Sequence, residues 1–337
     1  MKKNITLKDI AEKVGVSAVT VSKALTDKEG VSEDVRKKIK AVANELGYKL
    51  NSSSSTSSIS KNIGVLVAKK FIRDDANAFY LKIYQSLVQA LSRFRCYGIL
   101  EIISSTNERE NILPKLIEDK KADGFIILGQ LSSSYIAMLE RTGIPIVLLD
   151  YYDKNLNIDA VIGDSVYGSY RATNHLISMG HRKIGFVGSI FSTNSIMDRY
   201  LGYYKALLES KCEMRNEWLI EDRNEDGEYI PLSLPKAEDM PTAFICNCDN
   251  VCYILINRLN ELGYEVPKDI SVIGYDNSAL SALASISLTT VEVNIDAMTE
   301  SAADLIIKKI KGEEYCCGMR IIESKLIVRD SVQNILN

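Results

Sequence analysis

The chain has 337 residues, 46% apolar and 25% charged, with a formal net charge of −3. That length suits two or three domains, and that apolar share excludes a globally disordered chain. No run approaches the roughly 20 apolar residues of a membrane-spanning helix, and the basic start MKKNITLKDIAEK lacks an apolar segment. Neither a membrane span nor an export signal is therefore read, and a cytoplasmic protein is expected.

Charge is unevenly spread. Residues 1–61 hold 12 Lys/Arg against 7 Asp/Glu, a net of +5, while the remainder holds 29 against 37, a net of −8. A basic head on an acidic body predicts that only the head meets a polyanion. Seven cysteines with an isolated Cys96 fit a reduced chain better than a disulfide framework. Cys246, Cys248 and Cys252 cluster and Cys316 adjoins Cys317, but the only histidines are His175 and His181. Neither metal nor cofactor is expected, and the cysteines read as small buried hydrophobes.

The head reads as three short helices. Thr6 can cap the first, with Asp9 in capping-box position and Gly15 as its stop. Ser17 can cap the second, SAVTVSKAL, and Ser32 the third, where Val35, Ile39, Val42 and Leu46 recur at helical spacing before Gly47. Two helices separated by Gly15 and Val16 form a helix-turn-helix whose second helix can enter a major groove. On it Val21 and Leu25 point inward, and Ala18, Val19, Ser22 and Lys23 outward. A plain three-helix bundle with a solvated face is the alternative that spacing leaves open.

The runs ITLKDIAEKVGVSAVTVSKAL and VSEDVRKKIKAVANELGY resemble the headpiece of the lactose-repressor (LacI/GalR) family of bacterial transcription regulators, with Thr20-Val-Ser-Lys23, Tyr48 and Asn51 as landmarks. The resemblance implies that Ala18 and Val19 face base edges and that Lys23 stands where the family usually reads a base with arginine. Apolar contact with thymine methyls is the only readout Ala and Val offer. Lysine reaches guanine without arginine's fixed fork. Thr6, Ser17, Thr20, Ser22 and Tyr48 are implied phosphate contacts, and Asn51 joins the DNA-binding set.

A tract NSSSSTSSISK follows at residues 51–61. Here the resemblance implies a hinge helix that wedges leucines into the minor groove. In this chain Leu50 replaces its proline, Ser54 its alanine and Ser57 its leucine, leaving Ile59 as the only apolar wedge. Serine costs roughly 0.5 kcal/mol per residue against alanine in a helix. A flexible tether with weak or no kinking is expected.

From Ile63 apolar runs such as IGVLVA, ADGFIILG and IPIVLLD alternate with amphipathic stretches, the signature of parallel β/α units. ENILPKLIEDK reads as one such helix. VIGD (161–164) reads as the start of a second set running to ISVIGYD. Two doubly wound lobes would hold a ligand at the carboxyl ends of their strands. The family resemblance extends through D164SVYGSYRATNHLISMGHRKIGFVG188, Arg199…Gly202, Ser271-Val-Ile-Gly-Tyr-Asp276, Leu288-Thr-Thr290 and Ser324-Lys-Leu-Ile-Val-Arg329, and Asn77-Ala-Phe-Tyr80 is similar to its Asn-Pro-Phe-Phe. The implied fold is a helix-turn-helix headpiece (1–50), a hinge (51–61) and a two-lobed periplasmic-binding-protein-like α/β core (62–337). The first lobe is expected at about 62–159 and 294–319, the second at about 160–293 and 320–337.

By resemblance a small-molecule effector, a sugar or related metabolite, is gripped by Arg199 and Asp276, with Phe79 as an apolar wall and Cys248 and Asp249 at the family's Asn-Asp position. The alternative is that Arg199 and Asp276 simply pair. Three departures point to a less polar ligand or none: Cys248 for an amide, Val293 for a polar residue, and a stretch 226–241 broken by Pro231, Pro235 and Pro241. In that case a protein partner, or no ligand, would control the regulator. No GxGxxG follows the first strand and no GxxxxGK[ST] or G-x-S-x-G occurs, so a nucleotide-dependent enzyme is disfavoured. An exported binding protein of the same clamp fold would lack the head. The expectation is a homodimeric regulator, most simply a repressor, on palindromic double-stranded DNA, with no enzymatic activity.

Overall fold

The computed structural model describes residues 6–25, 30–46, 62–72, 78–153, 155–225, 227–278 and 286–336. Tyr48, Asn51, Asn77 and the serine tract, all singled out in the sequence, lie outside them. The chain divides into two compact units, 1–59 and 60–337.

In the first unit, helix α1 (Leu7–Val14) opens on a reciprocal cap: the Thr6 amide donates to Asp9 at 2.6 Å and the Asp9 amide to Thr6 Oγ1 at 3.4 Å. Gly15, at φ +76°, ends it in left-handed backbone. Helix α2 (Ala18–Leu25) starts where Ser17 Oγ accepts from the Thr20 amide at 3.1 Å. Ser32 heads α3 (Glu33–Glu45) but makes no side-chain capping bond there. The core is Ile10, Ala11, Val21, Ala24, Ile39 and Ala43. Leu25, expected inward, is half-buried, because Ala24 lies closer to the line through Val21 that faces α1 and α3.

The second unit holds two six-stranded sheets. Strand β1 (Asn62–Ala68) leads to α4 (Ala78–Arg93), β2 (Tyr97–Ile103), the short helices α5 (Ser105–Arg109) and α6 (Lys115–Glu118), β3 (Gly124–Leu128), α7 (Ser133–Glu140), β4 (Ile146–Leu149) and β5 (Ala160–Gly163). Of ENILPKLIEDK, expected as one helix, only α6 is helical, because Pro114 has no N–H to donate and suits a helix start. Then come α8 (Ser165–Ser178), β6 (Ile184–Val187), α9 (Asn194–Glu209), β7 (Leu219–Ile220), β8 (Ala243–Cys246), α10 (Asp249–Glu261), β9 (Ser271–Tyr275) and β10 (Thr290–Glu292). Helix α11 (Ile295–Lys311), β11 (Met319–Ile322) and β12 (Lys325–Ile327) complete the unit.

The first sheet runs β11-β5-β4-β3-β1-β2 and the second β12-β10-β9-β8-β6-β7, parallel except for β12. Strands β3, β4, β6, β8 and β9 are buried along their whole length, as sheets covered by helices on both faces require. Among the described residues no helix is long and apolar enough to cross a membrane.

Strand placement corrects the expected lobe boundaries. Ala160–Gly163 pairs with β4 and with Met319–Ile322, so β5 and β11 belong to the first sheet. The chain crosses at Asp164, at Val293–Asn294 and at Glu323–Ser324, not at 160 and 319. A short apolar strand followed by a helix looks alike in either lobe; register alone assigns it. Asp159 fixes the assignment, bonded by Lys309 at 2.7 Å and by the Gly318 amide at 2.6 Å. Helices α8 and α9 touch backbone to backbone: a Cβ at Gly202 would lie 2.0 Å from the Val166 carbonyl oxygen.

Candidate functional site: a recognition helix and an interlobe cleft

Helix α2 presents a mixed face. Val19 is 66% exposed, and Lys23 is exposed one turn on. Ala18 is half-buried against the head core, so it offers less to a groove than Val19 does. Ser17 and Thr20 hydroxyls bond each other at 2.9 Å, and Thr6 Oγ1 donates to Asp9 at 2.7 Å, which fixes the three beside the helix starts. Ser22 is half-buried on the same helix.

The cleft is built at the carboxyl ends of the strands. From α9 the buried Arg199 sends Nη1 to the Asn247 carbonyl at 2.5 Å and Nη2 to Asp276 at 3.4 Å, with its guanidinium 3.9 Å from the Tyr275 ring centre. Arg199 and Asp276 thus pair with each other, the alternative that the sequence left open. Arg199 Nε is buried without a partner, so the guanidinium keeps unused donor capacity. Asp276 ends β9 at φ +102° and Asp150 ends β4 at φ +61°. Asp150 accepts from the Tyr80 hydroxyl at 3.1 Å.

Burial sets the protonation of this group. It pushes the Asp276 carboxyl up to about 8, against the pull of Arg199, and Asp150 up to about 6, against Arg199 and Tyr80. For Arg199 burial lowers the pKa, but Asp276, Tyr275 and Asp150 outweigh it and keep the charge. The result is one fixed cation between two carboxyls that burial drives toward neutrality.

Asp249 is buried at the start of α10, where Oδ1 accepts from the Thr290 hydroxyl at 2.5 Å and Oδ2 from the Ser278 amide at 2.7 Å. It ties β10 and the segment after β9 to the helix start. Cys248 is half-exposed, and burial, helped by Asp276, pushes its thiol up to about 12, so it stays neutral. Phe79 is half-buried and meets Tyr80 edge-on at 5.5 Å, but it does not line the cavity between the lobes.

The sequence reading missed Tyr80, Asp150, Asn247, Asp222 and Arg223. Asn247 Nδ2 donates to Asp222 at 2.9 Å, and Arg223 grips the same carboxylate through Nε at 2.9 Å and Nη2 at 2.6 Å. The acid closing the run IPIVLLD was the one legible signal, since parallel strands end at the ligand.

Beside this cluster lies a cavity of about 260 Å³ lined from both lobes: Gln130, Ser133, Tyr151, Tyr152 and Asp153 from one, Ile190, Phe191, Thr193, Asn194 and Met197 from the other. Two hydrogen bonds cross it, from the Asn194 amide to Gln130 at 3.2 Å and from the Tyr152 hydroxyl to Asp198 at 3.1 Å. Its lining mixes hydroxyl, amide and carboxyl groups with aromatic and aliphatic surfaces. Among the described residues no group of three His, Cys, Asp or Glu converges to hold a metal ion.

Comparison with known proteins agrees with this architecture. The family model described as "Bacterial regulatory proteins, lacI family" matches residues 6–51, and that for a periplasmic binding protein-like domain matches 173–332. The HTH-type transcriptional repressor PurR of Glaesserella parasuis serovar 5 (strain SH0165) is 30% identical over 98% of this chain and 99% of its own. PurR of Vibrio vulnificus (strain CMCP6) is 29% identical over the same shares. The structure of a CelR transcriptional regulator in complex with cellobiose superposes with a TM-score of 0.69 at 23% identity, covering 97% of this chain and 99% of that one. A lac repressor dimer bound to operator and the anti-inducer ONPF gives 0.69 at 21% identity, covering 98% and 100%.

Proposed function

The chain belongs to the lacI family of bacterial regulatory proteins, and from that premise we propose that this DNA-binding transcription regulator is a cytoplasmic homodimeric repressor controlled by a hydroxyl-rich small molecule of the sugar class. The observation that carries the ligand class is the composition of the cleft. A carboxyl (Asp153), amides (Gln130, Asn194) and hydroxyls (Ser133, Thr193, Tyr151, Tyr152) surround one space. A polyhydroxylated ligand buries stably only when each hydroxyl finds a partner, and these groups supply donors and acceptors in number. Tyr151, Tyr152 and Phe191 add flat apolar faces for its C–H surfaces.

On the DNA side, Val19 reads a thymine methyl, Lys23 a guanine edge, and Thr6, Ser17, Thr20 and Ser22 hold phosphates and set register. Tyr48 and Asn51 extend that contact set. Ligand between the lobes changes their separation, and through it the spacing of two heads on a palindrome.

The test is calorimetric titration of full-length protein with a panel of mono- and disaccharides and nucleobases, repeated with Arg199→Ala. Saturable binding of a saccharide that shifts operator affinity, lost in the variant, supports the reading. Nucleobase binding in its place, or an unchanged response in the variant, overturns it.

A further inference from the structure

Five of the seven cysteines are buried or half-covered; Cys316 and Cys317 are the exposed ones, and they are adjacent. They form the tip of the turn between α11 and β11, and both shoulders of that turn are tied to one buried carboxylate. Asp159 Oδ2 accepts from the Tyr315 hydroxyl at 3.1 Å, and Asp159 Oδ1 from the Gly318 amide at 2.6 Å. Lys309 completes the anchor at 2.7 Å. Gly318, at φ +111°, takes a backbone that a side chain rarely adopts and turns the chain into β11. The two thiols are thus displayed on a turn fixed at both ends.

Their chemistry is narrow. Consecutive Cα atoms lie about 3.8 Å apart across a trans peptide, closer than the roughly 4.4–6.8 Å a relaxed disulfide spans. Insertion of one larger atom between the sulfurs relieves that mismatch. No third His, Cys, Asp or Glu converges here among the described residues, so a four-ligand zinc-type site is not built. What fits is a centre satisfied by two sulfur bonds.

We propose that Cys316 and Cys317 form a dithiol site for trivalent arsenicals. For an organoarsenical oxide, two S–H bonds break and two As–S bonds form. The arsenic-bound oxygen leaves as water with both thiol protons, and nothing is oxidised or reduced. The second bond forms within the chain, so two-point capture exceeds one-point capture by roughly 100-fold or more. The site is separate from the cleft and independent of the function proposed for it.

The experiment uses reduced full-length protein and phenylarsine oxide, read by intact mass and by the native count of thiols reactive to Ellman's reagent. The expected result is one adduct per chain with loss of two fast thiols. A dithiol such as 2,3-dimercaptopropanol reverses it, whereas a monothiol does not. Cys316→Ser and Cys317→Ser, both at exposed positions, each weaken capture by roughly 100-fold. Wild-type affinity in either single variant, or a native mass lower by two hydrogens with no adduct, overturns the proposal.

Discussion

Replacing Asp276 by Asn tests the electrostatics of the cleft directly. Asparagine tolerates the left-handed backbone at φ +102° and keeps the side-chain oxygen that accepts from Arg199 at 3.4 Å, so only the titration is removed. In the folded protein burial raises this carboxyl to about 8. Between its ordinary value and about 8 the native state therefore binds more protons than the unfolded chain, and stability falls as pH rises. Asp150 and Asp249 act in the same direction but are complete near their raised values of about 6. Burial lowers His175 and His181 from the usual histidine range, an effect of opposite sign that is confined to more acid solution. The window from about pH 6.5 to 8 thus isolates Asp276. One proton over that interval amounts to at most about 2 kcal/mol, at about 1.4 kcal/mol per unit. Urea unfolding followed by the lone tryptophan, Trp218, which is wholly buried in the second lobe, reads the core alone. Wild-type stability should decline across the window while Asp276→Asn stays flat. Equal slopes would refute the argument and mean that Arg199 holds Asp276 ionised.

Lys23→Ala should cost about 1–3 kcal/mol on a selected operator and less on random duplex DNA; a gel-shift series at fixed salt separates base contact from phosphate contact. Tyr152→Phe removes a hydrogen bond of about 1 kcal/mol between the lobes, so small-angle scattering without ligand should show a more open core, and an unchanged profile argues against a latch. Thr6→Ala breaks the cap of α1 and should lower head stability by about 1 kcal/mol in thermal unfolding. Gly202→Ala places a methyl against the Val166 carbonyl and should destabilise the second lobe by more than any surface change, as its urea midpoint will show.

The periodic elements were readable because each obeys a local rule. Thr6 and Asp9 cap, Gly15 turns left-handed, and the strands are continuous apolar runs. The lobe boundaries were not, because β5 is assigned by its pairing with β11 more than 150 residues away and no local pattern encodes that register. The cleft was half legible for a similar reason. Arg199 and Asp276 stand in recognisable motifs, whereas Asn247, Asp222 and Arg223 form a network between the ends of β8 and β7 that only the sheet order β8-β6-β7 brings together. Asp249 reads from the sequence as a ligand group, and its bonds to Thr290 and Ser278 come from elements no local pattern places beside it.

Tyr275 links the cleft to the crossings between lobes. One face of its ring carries the Arg199 guanidinium. Its hydroxyl lies 3.4 Å from the Asp164 carbonyl and 3.4 Å from Ser324 Oγ, at two of the three places where the chain passes from one lobe to the other. Gly168 leaves the room for it, since a Cβ there would fall 2.5 Å from that hydroxyl. The ring therefore bears on both crossings at once. Tyr275→Phe should keep the stacked cation but lose both hydroxyl contacts and so lower the urea midpoint of the core; an unchanged midpoint would mean that the hydroxyl does not hold the crossings.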